Sequence, residues 1–393
     1  MREVVRLGWL AALAAAATLC VALWPAPAAK RVAIRVACDP GACALAESLA
    51  VDVWSEDRGP SVPLDLVVSD RVLDRLDRAG VRYDVLVPDV DAAAAAEAAR
   101  IRSARPADWF GEYRDYAAIT ARLHEDAELA PDRVALQAIG STIQSRPIWA
   151  VRIGHGGTPM LVEGTQHARE WIAAMTATCV ADRMVRDYDR DPAIRAFVDT
   201  TTLWVIPVGN PDGYQYTWST DRYWRKNRNG AGVDLNRNFG VAFGGDGSSD
   251  NPRSEVYRGP YAFSENESQA VRDLARRVGF VLHVDFHAYG QLVMYPWSYS
   301  AAPARDRARL AAVGDRMASA MFAQHETRYR LLQAVELYPA AGTVMDWMYG
   351  EAGVHSYAIE LRPRRAGFVL PPDQIKPTCD EGMAAVLALR AAH

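Results

Sequence analysis

Two parts of the chain differ in how apolar and polar residues alternate. From Arg31 to Val87, short apolar runs and helical segments follow one another in the order strand, helix, strand, strand, helix, strand. The second helix follows Ser69, a residue type that caps helix starts, and stops at Gly80, a residue type common just beyond helix ends. The order β-α-β-β-α-β predicts a small ferredoxin-like α+β domain over residues 30–90.

The larger part of the chain alternates strongly apolar strands with helices. Seven strand-like segments lie between residues 135 and 362, and long helical segments cover residues 171–188 and 304–324. Strands that are apolar on both faces are typical of a parallel sheet covered by helices on both sides. We therefore expect an α/β domain over residues 108–393, with a mixed, mostly parallel twisted sheet whose ligands gather at the carboxyl ends of the strands.

An Ala-rich helical connector over residues 91–107 joins the two predicted domains. It ends in three arginines, Arg100, Arg102 and Arg105, just before a proline. An exposed connector of this kind suits cleavage by a trypsin-like protease. The alternative interpretation is a solvated helix end.

The N-terminal residues have a pattern of their own. An uncharged apolar run from Leu7 to Trp24 follows a short charged start and ends in small residues. This is typical of a secretory signal peptide over residues 1–29, with cleavage near Ala28 or Ala29. The alternative is an uncleaved anchor. We expect a secreted or periplasmic monomer that has no stable association with the membrane after cleavage.

Charge and cysteine content narrow the choice of partners and compartment. The chain has 44 Lys+Arg against 48 Asp+Glu and no basic run, so we expect no nucleic-acid partner. The four cysteines beyond the signal, an even number, suit an oxidising compartment. Cys38 and Cys43 could form a local bridge, whereas a buried free thiol is an equally good interpretation of Cys179.

The segment GTQHAREW directly follows an apolar strand and contains two candidate metal ligands, His167 and Glu170. We expect a helix to begin near Ala168, so that Glu170 lies in its first turn and both side chains point to one place. Catalytic zinc takes three protein ligands and leaves one position for water. His287 is the best third candidate because it closes a strand at its carboxyl end.

A water at such a metal also needs a general base. Glu360 lies between two aliphatic residues of a predicted strand, which by itself suggests a surface position on an edge strand. Beside a metal site it becomes the candidate base. In the basic segment RYWRKNRNGAGVDLNRNFG, Arg225, Asn236 and Arg237 could hold carbonyl or carboxylate oxygens. A solvated polar loop is the alternative.

A series of motifs makes the pattern more specific. HARE, WRKNRN, GVDLNRNFG, HAYGQLVMYPW, LYPAAGTVMDW, YAIELRP and GFVLPPDQIKPT occur in this order. From about Trp109 to the C-terminus the chain resembles the A/B-type zinc metallocarboxypeptidases, and the first domain resembles their inhibitory prodomain. The resemblance implies one zinc ion, synthesis as a zymogen, and hydrolysis of the C-terminal bond of peptides or proteins.

The resemblance also implies roles for individual residues. His167, Glu170 and His287 would bind zinc, and Asp234 would orient His167. Glu360 would deprotonate the zinc-bound water and later protonate the leaving amine. The remaining residues would contact the substrate: Arg225 at the oxyanion, Asn236 and Arg237 at the terminal carboxylate, Tyr338 closing over it, and Arg169 and Tyr289 in the outer subsites.

Specificity is expected to depend on the residue before the Asp-Trp pair, which in this family lies at the base of the side-chain pocket. An aspartate there accompanies a preference for basic residues, whereas this chain has Met345, with Met294 expected nearby. An apolar, adaptable floor favours large aliphatic or aromatic C-terminal residues. Two alternatives are a peptidase of the same chemistry that acts on cell-wall peptides and a peptide-binding relative that has lost catalysis.

Overall fold

Two β-sheets organise the chain, one in each predicted domain. The computed structural model describes residues 29–55, 63–364 and 367–393. The predicted signal peptide therefore lies outside the described residues, apart from its last residue, Ala29. Within the described ranges, the helices are all too short or too polar to cross a membrane.

The first domain has the element order that the sequence predicts. Its elements are β1 Arg31–Val36, α1 Pro40–Leu49, β2 Ala50–Val53, β3 Leu64–Ser69, α2 Leu73–Arg78 and β4 Tyr83–Val87. The strands form an antiparallel sheet in the order β2-β3-β1-β4. Ser69 caps the short turn before α2, and Gly80 follows α2 with a φ of 70°, which only glycine adopts easily. The arrangement is ferredoxin-like.

The connector is a helix anchored on the second domain. It forms α3, Val90–Ser103, whose inner face carries the buried Glu97. The carboxylate of Glu97 accepts a hydrogen bond of 2.6 Å from Arg222 Nε. Arg100 pairs with Glu112, just beyond the connector, whereas Arg102 and Arg105 are exposed. The connector is therefore packed against the second domain along one side and accessible near its end.

The second domain contains eight strands and eight helices among the described residues. The strands are β5 Val134–Ser141, β6 Pro147–Ile153, β7 Thr158–Gly164, β8 Thr201–Ile206, β9 Leu282–Ala288, β10 Leu292–Tyr295, β11 Arg330–Gln333 and β12 His355–Leu361. The helices are α4 Tyr116–Leu129, α5 Trp171–Arg186, α6 Pro192–Thr200, α7 Pro211–Ser219, α8 Asn266–Val278, α9 Arg307–His325, α10 Val344–Gly350 and α11 Ile375–Ala391.

The large sheet is mixed, as predicted, with the strand order β11-β10-β12-β9-β7-β8-β6-β5. Its central strands β12, β9, β7 and β8 run parallel, and β10 and β11 are parallel to each other. The pairs β10–β12, β6–β8 and β5–β6 are antiparallel. Strand β11 was not predicted because only two of its four residues, RLLQ, are apolar.

Helices cover both faces of this sheet. Residues of α4, α5, α9 and α11 share one apolar core with Val162, whereas residues of α8 and α10 share the other with Leu161. These two neighbours in β7 point to opposite cores because side chains alternate along a strand. The central strands are consequently apolar on both faces, which is the pattern that the sequence shows.

Both pairs of cysteines form disulfides. Cys38, just before α1, pairs with Cys43 near the start of that helix, as the sequence allows. Cys179 of α5 pairs with Cys379 of α11, with their Cα atoms 6.0 Å apart. The free-thiol interpretation of Cys179 is therefore wrong. Its partner lies 200 residues further along the chain, so only the packing of α5 beside α11 reveals the pair.

Candidate active site

The ends of two parallel strands bring the three candidate metal ligands together. His167 lies in the turn after β7, and His287 lies at the carboxyl end of the neighbouring strand β9. Glu170 is placed differently from the prediction: α5 begins at Trp171, not near Ala168, so Glu170 precedes the helix. The reason is a tight turn in which the Glu170 N–H donates to the His167 carbonyl at 3.2 Å.

The ligand atoms converge on one point. Nδ1 of His167 lies 2.8 Å from Glu170 Oε1, Nδ1 of His287 lies 3.0 Å from Glu170 Oε2, and the two Nδ1 atoms are 3.2 Å apart. All three side chains are buried. Their candidate donor atoms lie within 4.8 Å of one another, a property of this one group among the described residues. Two imidazoles and one carboxylate are a ligand set that suits catalytic zinc.

Carboxylates hold the outward nitrogens of both histidines. Nε2 of His167 lies 3.1 Å from Asp234 Oδ1, the contact that the resemblance implies. Nε2 of His287 lies 2.6 Å from Asp285 Oδ2. Such acceptors keep the proton on Nε2 and leave the Nδ1 lone pair for a metal. Asp285 was not predicted, although it lies two residues before His287 on one strand, a spacing that puts both on one face.

Electrostatics favour a cation at this point. Burial raises the pKa of Glu170, but the two neighbouring imidazoles outweigh it and lower that pKa to about 2. Burial also acts on Asp234, yet the cations around it, above all Arg225, hold its pKa well below the usual range. Burial lowers the pKa of His287, while Asp285 and Glu170 raise it well above normal. Buried anions thus surround the imidazoles, and they would stabilise a bound metal ion.

Glu360 lies next to the metal ligands. It belongs to β12, between β9 and β10, and is paired in register with His287 on the adjacent parallel strand. It is 5% exposed. The interpretation as a surface residue on an edge strand is therefore wrong, because neighbouring strands flank β12 on both sides.

Arg225 and the metal-binding turn are held together. The guanidinium of Arg225 donates to Asp234 Oδ2 through Nε at 3.2 Å and Nη2 at 3.0 Å. The other oxygen of Asp234 faces His167, so a single carboxylate orients a candidate ligand and a buried cation. The backbone adds a third link, since the Ala168 N–H donates to the Arg225 carbonyl at 2.8 Å.

An adjoining cavity contains the residues predicted to hold the substrate C-terminus. Asn236, Arg237, Tyr338 and Met345 line it together with His287 and Glu360. Arg237 Nη2 donates to the Tyr338 hydroxyl at 3.1 Å. The apolar lining of this cavity belongs mostly to a single cluster of buried side chains: Met294, Ala334, Leu337, Met345 and Ala358. The expected proximity of Met294 to Met345 is thus observed.

Arg169 and Tyr289 contact the first domain. Arg169 Nη1 donates to Asp52 Oδ2 at 2.8 Å, and the Tyr289 hydroxyl donates to Asp65 Oδ2 at 2.9 Å. Trp54, from the same domain, is buried at this contact. The first domain therefore covers the region to which the resemblance assigns the outer subsites.

Known proteins share this fold and part of this sequence. The family model for zinc carboxypeptidases, peptidase family M14, matches residues 119–385. The chain belongs to the zinc carboxypeptidase family. It is 34% identical to carboxypeptidase A4 of Mus musculus over 357 residues, 85% of each chain. It is 33% identical to carboxypeptidase B of Bos taurus over 364 residues, 87% of each chain.

A solved structure extends the likeness of this zinc carboxypeptidase to both domains. The crystal structure of thrombin activatable fibrinolysis inhibitor matches with a TM-score of 0.85 and 27% identity, covering 92% of this chain and 98% of that one. The predicted fold class is confirmed. The predicted enzyme class is confirmed too: a hydrolase of C-terminal peptide bonds that uses one zinc ion. The His167–Glu170–His287 group fits that ion in donor type and spacing.

Proposed function

We propose that this zinc carboxypeptidase is a secreted zymogen whose active form removes large aliphatic or aromatic residues from peptide C-termini. The observation that carries the proposal is one cavity that combines a guanidinium, an apolar floor and a buried carboxylate beside the metal group. Arg237, Met345 and Glu360 supply these three features. The presence of Glu360, Arg225 and all three candidate ligands argues against a relative that has lost catalysis.

The chemistry divides among residues that already lie together. Zinc held by His167, Glu170 and His287 would supply Lewis-acid polarisation of water and of the substrate carbonyl. Glu360 accepts a proton from the attacking water and passes it to the leaving amine. Arg225, fixed by Asp234, donates to the carbonyl oxygen as negative charge develops there.

The carboxylate clamp explains exopeptidase action. The Arg237 guanidinium can donate two parallel hydrogen bonds to a terminal carboxylate, and charge-assisted bonds are roughly twice as strong as neutral ones. Asn236 lies beside it as a neutral donor, and Tyr338 would close over the bound residue. An internal peptide segment offers no carboxylate at this position, so we expect it to bind poorly.

Matched peptides test the clamp and the floor. Blocked dipeptides ending in Phe, Leu, Lys or Arg are compared as free acids and as C-terminal amides, with and without a zinc chelator. We expect chelator-sensitive release from the free acids alone, fastest for Phe and Leu, because Met345 offers no charge to a basic side chain. Equal hydrolysis of the amides argues against the clamp, and a preference for Lys or Arg argues against the apolar floor.

The contacts of the first domain support the proposal that it inhibits the enzyme. Its Asp52, Trp54 and Asp65 occupy the outer part of the cleft. Among the connector arginines, Arg102 is the best site for a trypsin-like protease, because Arg100 is paired and Arg105 precedes a proline. Arg102 lies in the last turn of α3, where helices fray.

Limited trypsin digestion tests the zymogen proposal. We expect a product that begins at Ser103, together with a rise in activity toward peptides. Full activity of the intact chain would exclude inhibition by the first domain. Secretion is supported by two disulfides that join all four cysteines of the mature chain, since such bonds persist in oxidising compartments. We further propose that the active form is a monomer.

A further inference from the structure

A groove borders Glu360 next to the apolar cavity. Its lining from the second domain includes Tyr289, Arg328, Arg330 and Arg364. The groove and the cavity share Glu360 and Leu337, so the two spaces meet at the candidate base. If the C-terminal residue of a substrate occupies the cavity, the residue upstream of the scissile bond faces the groove.

The strand pairing places Arg330 level with Glu360, at the same end of the sheet. Leu292 at the start of β10 pairs with Glu360 of β12 on one side and with Arg330 of β11 on the other. Residues in register on adjacent strands point to the same face, and two strand spacings amount to about 10 Å. Arg330 and Glu360 thus flank the place where a substrate backbone would cross the edge of the sheet.

The groove is rich in exposed arginines. Arg328, Arg330 and Arg364 are exposed, and no described carboxylate lies within ion-pair distance of them. Arg328 stacks over the Phe322 ring at 4.9 Å. One acidic residue of the second domain besides Glu360, Asp315, lines the same groove. Three guanidinium groups against one exposed carboxylate give the groove a positive potential.

In the intact chain the first domain inserts a carboxylate into this groove. Asp65 lines it and is 2% exposed, and its Oδ2 accepts from the Tyr289 hydroxyl at 2.9 Å. Arg35 of the same domain neutralises Asp65 through two hydrogen bonds of 2.6 Å. Removal of the domain takes away both charges of this pair. The space that Asp65 fills then becomes available to an acidic side chain of a substrate. The arginines that remain around this space belong to the second domain.

We propose that the activated enzyme binds an acidic substrate side chain, Asp or Glu, immediately upstream of the scissile bond, with Arg330 as the main contact. Arg328 and Arg364 add to the positive field. The inference rests on the proposed function, because it takes the position of the scissile bond from the clamp and Glu360. Guanidinium groups match carboxylates in a two-point geometry, and the exposed position makes the preference sensitive to salt.

Three blocked peptides that differ at one position provide the test. Each ends in Phe with a free carboxylate, and the preceding residue is Glu, Gln or Lys. For the trypsin-activated chain we expect kcat/KM to be about threefold to tenfold higher for Glu than for Gln, and lowest for Lys. High salt should reduce the Glu:Gln ratio. Arg330→Gln should bring the ratio close to one, whereas Arg277→Gln, an exposed arginine of α8, should leave it unchanged.

The outcomes separate this inference from the proposed function. Hydrolysis of all three peptides at equal rates, or a preference for Lys, overturns the acidic subsite and leaves the carboxypeptidase function intact. A Glu preference that survives Arg330→Gln overturns the assignment to Arg330. Failure to hydrolyse any of the three by a zinc-loaded, cleaved chain overturns the proposed function and the subsite with it.

Discussion

Asp285→Asn tests whether the second histidine is held by a carboxylate. Asp285 Oδ2 lies 2.6 Å from His287 Nε2 and also accepts from Gln166 Nε2 at 2.9 Å. Both Asp285 and His287 are buried. Asparagine has the same shape, and its side-chain oxygen can still accept from both neighbours. The substitution thus removes the negative charge and keeps the hydrogen-bond geometry.

We expect the Asp285→Asn substitution to weaken zinc binding. Replacing the partner of a metal-binding histidine typically weakens metal binding by about 10- to 100-fold, which corresponds to about 1.4 to 2.8 kcal/mol. Because the hydrogen bonds remain possible for asparagine, we expect a value near the middle, about 30-fold. At saturating zinc, kcat should change little, since Asp285 touches neither Arg225 nor Glu360 in the structure.

Competition with a chromophoric chelator measures the zinc affinity directly. Asp234→Asn is the informative comparison, because that carboxylate also orients Arg225 and should lower both zinc affinity and kcat. Asp273→Asn, on the exposed face of α8, is the matched control and should change neither. A zinc affinity of the Asp285→Asn chain within twofold of the parent would refute the role assigned to Asp285.

Three further substitutions test other parts of the account. Glu97→Gln breaks the buried pair with Arg222. The cleaved first domain should then lose about 3 kcal/mol of binding free energy, which weakens its retention about 100-fold. Activity should therefore rise faster after trypsin treatment. An unchanged time course would rule out this anchor. Met345→Asp should shift kcat/KM from Phe toward Arg at the C-terminus, and an unaltered Phe:Arg ratio would mean that Met345 is not in the pocket floor. Burial raises the pKa of Glu267 from 4.5 to about 7, so the stability that depends on its protonated form is complete below pH 4.5 and is lost as pH rises through 7. Urea unfolding should show that the free energy of unfolding falls by an amount on the order of 3 kcal/mol between pH 4.5 and 7 in the parent, and by much less in Glu267→Gln. Equal losses in the two proteins would contradict the assignment of this pH dependence to Glu267.

The sequence sufficed for features that depend on local pattern and strand direction. His167 and His287 were found because each directly follows or closes a strand, and parallel strands bring such ends to one edge. Glu360 was a candidate because a metal-bound water needs a base; its place beside His287 is observed, and its role as the base stays a prediction. The ferredoxin-like order could be predicted because the apolar residues of its strands and helices recur at strand or helix spacing.

Contacts between segments that are distant in the chain could not be predicted from the sequence. The pairing of Cys179 with Cys379 depends on the packing of α5 beside α11. The anchoring of α3 through Glu97 depends on an arginine 125 residues further along the chain. The start of α5 was misplaced for a local reason, since a turn held by the His167 carbonyl delays the helix to Trp171.

We propose that Glu360 acts as the base beside a zinc ion held by His167, Glu170 and His287. The most direct measurement is kcat/KM of Glu360→Gln after trypsin activation, on a blocked dipeptide ending in Phe, with zinc content determined on the same sample. We predict one zinc per chain and a fall in kcat/KM of about 100- to 10,000-fold, because glutamine cannot accept the proton. Activity within tenfold of the parent, with zinc bound, would contradict the account.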